Sequence, residues 1–225
     1  MRPDSPIAEN KNKVYKYTQH TFLACSLAAS FSMVSALPLL GGFTPLFLML
    51  PSLFLLNYYS VNKEEDAAYY ALLAFGVAMG LSLGPVLNLI ILTVPGGVGL
   101  VAIALLTTWV QTAALKAYAK SRNQNDTEMA ELGAFASTAL SGLCLVGLIG
   151  CMVPFSSLGM MAYAASGVLV FSLLLTYDFW RIENQSDVYP AVMAAGLFLD
   201  VVNLFLCLLQ VEILSSSYTS SSYKP

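Results

Sequence analysis

Long stretches of this chain carry no Asp, Glu, Lys or Arg at all. That one feature restricts the fold more than any motif does. A soluble domain needs polar residues every few positions to cover its surface. A lipid bilayer instead accepts helices that are apolar on every side, because helices satisfy their own backbone hydrogen bonds. Of the 225 residues, 57% are hydrophobic and only 10% charged, against about 25% charged in ordinary soluble domains. The expectation is an all-α membrane protein, with a single membrane domain and no separate soluble one.

A spanning helix needs about 20 mostly apolar residues. Seven such segments are legible: 17–39, 43–61, 67–92, 97–119, 129–153, 158–179 and 190–214. They give a cytosolic N-terminal segment (1–16), a seven-helix membrane domain (17–214) and a flexible, Ser- and Tyr-rich tail (215–225). The breaks have local causes. Gly41-Gly42 and Pro95-Gly96-Gly97 form turns, residues 63–66 and 121–128 are solvated charge runs, and Pro154 ends a helix. The polar start carries no cleavable signal peptide, so the first span is expected to target the chain.

If every segment crosses, nine of the ten basic residues fall on one face and Lys224 on the other. Basic loops stay cytosolic, so the N-terminus is expected there. The sequons at Asn125 and Asn184 fall on the same face and should carry no glycan.

Against the Leu, Ala, Val and Phe background, two carboxylates stand out. Asp178 lies in the cytosolic half of the sixth span and Asp200 well inside the seventh. A charged side chain at the bilayer centre costs about 2.5–3.5 kcal/mol, and such groups are usually functional and face the protein interior. The two lie at similar depth either side of the turn near Ser186, so neighbouring antiparallel helices would bring the carboxyls close enough to share one proton. In the seventh span Gly196, Asp200, Asn203, Cys207 and Gln210 recur at spacings of four and three, which is one helix face. The plainer alternative for that stripe is interhelical hydrogen bonding.

Gly76, Gly80 and Gly84 recur every four residues in the third span and form a helix-packing face, followed by Pro85. Asn88 and Gln111 are further polar groups at membrane depth and, with Asn203 and Gln210, the pore-lining candidates. His20, the single histidine, is expected at the interface. The four cysteines match no metal or disulfide pattern, and no phosphate loop, zinc-ligand cluster or nucleic-acid patch is present. No cofactor, no tight metal site and no enzymatic activity are expected.

Taken in order, these segments resemble the Bax inhibitor-1 (transmembrane Bax inhibitor motif) family. Gly80-Leu81-Ser82-Leu83-Gly84-Pro85 with Pro95 resembles its third span, Met160-Met161-Ala162-Tyr163 through Tyr177-Asp178 its sixth, and Gly196 through Asp200 to Phe205, with the ending Ile213-Leu214-Ser215, its seventh. The resemblance implies seven helices with the last one central. It also implies a pH-sensitive calcium leak across an intracellular membrane, chiefly the endoplasmic reticulum, and a role in restraining cell death. Asp178 and Asp200 match the family's pH-sensing pair. The partners it implies are the bilayer, calcium as transported ion, protons and Bcl-2-type proteins. Two departures are visible: the basic tail of eukaryotic members is missing, and Asn62-Lys63 stands where bacterial relatives carry an arginine. Lys63 and Arg181 are the basic residues available to pair with the aspartates. The competing expectations are a non-conducting scaffold for Bcl-2-type partners and an intramembrane aspartyl protease. The protease lacks its motif here, since Leu199 occupies the place of the glycine before the second aspartate.

Overall fold

The computed structural model describes residues 6–34, 44–123, 127–185 and 189–222. Every regular element in them is helical: α1 (Pro6–Val34), α2 (Thr44–Val61), α3 (Glu65–Thr93), α4 (Gly97–Lys120), α5 (Thr127–Met152), α6 (Ser157–Asn184) and α7 (Pro190–Ser222). Among the described residues, α3 to α7 are each long and apolar enough to cross a membrane, and Phe47–Val61 of α2 is a shorter apolar helix. α1 falls short because its first turns are charged and its described apolar part stops at Val34.

Two boundaries differ from those read off hydropathy. α1 begins at Pro6, so the polar residues ahead of Tyr17 continue the same helix. α7 is helical through Ser222, past the end of its apolar run at Leu214. In both places the helix extends beyond its apolar segment, where hydropathy has no further signal. Gly41, Gly42, Asn125 and Ser186 lie outside the described residues. Of the sequon asparagines, Asn184 donates its side-chain amide to the Trp180 carbonyl at 3.0 Å.

The helices form two compact units. The first contains α1, α2, α3 and α7 as far as Phe198. Here α1 and α3 run parallel in a fixed register. Gly76 abuts Thr21, Gly80 abuts the Cys25 carbonyl and Gly84 abuts the Ala29 carbonyl, each pair 55 residues apart. A Cβ on Gly76 would sit 2.7 Å from the Thr21 methyl and 2.9 Å from its carbonyl oxygen. The glycine row therefore lets the two backbones touch. α2 packs against α3, where the Ser82 hydroxyl lies 3.8 Å from the Met49 sulfur. The core of this unit closes on Phe198, which is fully buried and meets Phe22 and Phe75 edge-on at centroid distances of 4.9 and 6.0 Å.

At the polar end of the α1–α3 seam, Glu65 accepts from Lys13 at 3.1 Å and from Tyr17 at 3.0 Å, while Lys13 also pairs with Glu9. His20 Nδ1 and the Tyr69 hydroxyl are 2.6 Å apart. The hydrogen bonds to Glu9 and then Glu65 hold the Lys13 ammonium above its ordinary pKa of 10.5. A raised lysine pKa stabilises the fold below the unfolded value, and that contribution is lost as pH climbs through the folded one. Glu65→Gln should therefore cost about 1 kcal/mol or less at neutral pH, since the pair is partly solvated. The deficit relative to wild type should shrink above about pH 10.5, measured by thermal unfolding in detergent.

The second unit contains α4, α5, α6 and α7 from Leu199 onward. α5 and α6 are antiparallel, because Gly133 meets the Tyr177 ring and Gly147 meets the Tyr163 hydroxyl. α4 runs parallel to α6: Gln111 donates to the Ser172 hydroxyl at 2.7 Å, and Lys116 lies 6.0 Å over the Phe179 ring. α7 is the most buried of the five long apolar helices, with 56% of its apolar window buried against 11% for α4 and for α5.

Candidate functional site

Both membrane aspartates belong to the second unit, Asp178 on α6 and Asp200 on α7. What sets them against each other is a glycine. Gly167 of α6 lies so close to Cys207 of α7 that an added Cβ would be 2.5 Å from the sulfur. At about 100° per residue, eleven residues make three turns, so Asp178 shares the helix face of Gly167. Seven residues make two turns, so Asp200 shares the face of Cys207. The one close contact therefore places both carboxylates on the α6–α7 seam.

The same contact sets their stagger. In an antiparallel pair with residue 167 opposite 207, residue 178 lies opposite 196. Asp200 is one turn further along, an axial offset of about 6 Å. Each carboxylate is half-buried. They are near enough for the Asp178 charge to act on Asp200, yet no hydrogen bond joins them among the described residues. Counted along the helices from that contact, the two carboxylates are staggered by about one turn.

The other candidates are dispersed. Asn203 and Gln210 continue the Asp200 face of α7 and are half-buried, whereas Val202, Phe205 and Leu209 on the other side are buried. Gln111 is occupied with Ser172 and ties α4 to α6. Asn88, on α3, and Lys63, in the turn between α2 and α3, belong to the first unit. Arg181, one turn after Asp178, lies 5.6 Å over the Tyr177 ring and is the basic group whose charge reaches Asp178. Gly76, Gly80 and Gly84 face α1.

Sequence reasoning passed over Gly167 and Gly133, which fix α6 against α7 and α5 respectively. Gly167 sits in no small-residue repeat, whereas Gly133 opens one with Ser137 and Ser141, a spacing that could have found it. Among the described residues no group of three His, Cys, Asp or Glu side chains could hold a metal ion.

Residues 9–217 match the family model described as "Inhibitor of apoptosis-promoting Bax1". The chain is 28% identical to Protein LIFEGUARD 4 of Arabidopsis thaliana over 75% of this chain and 64% of that protein. It is 33% identical to Bax inhibitor 1 of Schizosaccharomyces pombe over 39% of this chain and 34% of that one. It is 35% identical to the Golgi anti-apoptotic protein of Vaccinia virus (strain Lister) over 44% and 42% respectively. The matched regions therefore span less than two thirds of the length of these relatives.

Proposed function

Since this chain belongs to the Bax inhibitor-1 family, we propose that it is a pH-sensitive calcium leak of an intracellular membrane, gated at the α6–α7 seam, that restrains cell death. The observation carrying this is the pair of half-buried carboxylates on facing helix surfaces, held in register by Gly167 against Cys207. Calcium is a hard cation that takes carboxylate and amide oxygens. The Asp200 face of α7 offers these in sequence at Asp200, Asn203 and Gln210. Conduction calls for weak, successive contacts rather than a tight cage, and a single stripe of oxygens meets that requirement.

Gating follows from the charges. With one proton on the pair, a single negative charge remains and the helices stay packed. When that proton leaves, two like charges face each other where little water screens them, and the repulsion favours a parted seam. Flux should therefore rise with pH. The names of the yeast and viral relatives, Bax inhibitor 1 and Golgi anti-apoptotic protein, support a cell-death role. The basic residues clustered on one face support a cytosolic N-terminus, and the endoplasmic reticulum is the membrane proposed.

Calcium efflux from proteoliposomes containing the purified chain tests this. The expected result is a leak above protein-free vesicles that grows about tenfold from pH 6 to pH 8, equivalent to a shift of about 1.4 kcal/mol in the gating equilibrium. Absence of flux at every pH would leave a non-conducting scaffold for Bcl-2-type partners as the better account.

A further inference from the structure

Within the first unit a cavity of about 140 Å³ opens between the α2–α3 turn and the start of α7. Its lining includes Ser60, Lys63, Glu65, Tyr189 and Ala191. The volume lies below the roughly 300 Å³ at which drug-sized pockets begin, so it suits a small group.

Four features describe what that group must be. Ser60 is 5% exposed, and its hydroxyl has no hydrogen-bond partner among the described residues. A buried hydroxyl left unpaired is destabilising, and a ligand oxygen would relieve it. Lys63, in the α2–α3 turn, has φ +62° and its amide bonded to the Ser60 carbonyl at 3.1 Å, and its ammonium has no ion-pair partner among the described residues. Pro190 opens α7, so the cavity wall at Ala191 lies at the positive end of the helix dipole. These three features suit an anion. The fourth is of opposite sign: Glu65, held by Lys13 and Tyr17, keeps a carboxylate in the same wall, beside the Tyr189 ring.

A cavity lined by a cation, an unpaired hydroxyl, a helix N-terminus, a carboxylate and a tyrosine matches a zwitterion. It lies where the apolar runs of α2 and α7 end, at head-group depth for a spanning bundle. We propose that this cavity binds a phosphate–ammonium head group of the phosphatidylethanolamine type, with phosphate against Lys63, Ser60 and the α7 N-terminus, and ammonium against Glu65 and Tyr189.

Native mass spectrometry of the full chain in detergent, titrated with lipid, tests this. Wild type should retain phosphatidylethanolamine about tenfold more tightly than phosphatidylglycerol, which has the phosphate without the ammonium. Lys63→Gln and Ser60→Ala should lose most of that retention, and Lys63→Arg should keep it, with unfolding temperatures unchanged. Displacement by soluble phosphoethanolamine would show that the head group alone is recognised. Failure of the soluble compound to displace retained lipid would assign the site to membrane phospholipid. Equal retention of the two lipids by wild type, or of phosphatidylethanolamine by wild type and Lys63→Gln, would overturn the proposal.

Discussion

Replacing Asp200 by Asn should flatten the response of calcium flux to pH, from about tenfold between pH 6 and 8 to less than about twofold. Asn has nearly the shape of a protonated Asp and cannot ionise, so the α6–α7 seam would keep one charge at most at any pH. The variant should remain in the low-flux state that wild type occupies in acid. Asp178→Asn should behave alike, because repulsion needs both partners. The informative variant is the double one. If the two carboxylates act as a unit, Asp178→Asn with Asp200→Asn should add little to either single change, as coupled pairs are strongly non-additive. Independent effects that sum, or wild-type pH curves in all three, would dissociate the aspartates from gating. The one-turn stagger sharpens this. With about 6 Å between helix levels, coupling comes from charge at a distance, so Asp200→Glu should retain a pH response.

The second large effect concerns stability. Gly80→Leu should destabilise the bundle by about 3 kcal/mol, the upper end of overpacking costs. An added Cβ there would overlap the Cys25 carbonyl of α1, and a backbone oxygen held inside a helix has no rotamer to escape into. The seam would have to open along its length, because Gly76 and Gly84 share the same register with Thr21 and Ala29. Gly142→Ala is the matching control. Nothing lies within 4 Å of a Cβ at Gly142, so it should be neutral or stabilise by up to about 1 kcal/mol through helix propensity. Thermal unfolding in detergent separates the two. Equal midpoints would mean that the α1–α3 contact does not limit stability.

The glycine row was legible as a packing face, because four-residue spacing is itself the helix period. Its partner was not: nothing in Gly76, Gly80 or Gly84 names α1. The aspartates stood out for a similar reason, since charge is costly in lipid wherever it sits. Their stagger was set by Gly167 meeting Cys207, an isolated glycine 33 residues from Asp200 in sequence. Lys63 was singled out as a partner for those aspartates. It also lines a cavity with Ser60, whose unpaired hydroxyl has no sequence signature.

By itself, the sequence determined that the chain enters a membrane, that its elements are helices, how many there are, and which groups are expensive to bury. Those properties follow from local composition and period, and each segment carries them alone. Only the tertiary structure decided which helix faces which, at what register, and how far apart the carboxylates stand. Such pairings depend on whether two backbones can approach, and a single missing Cβ on one helix settles that for residues several turns away on another.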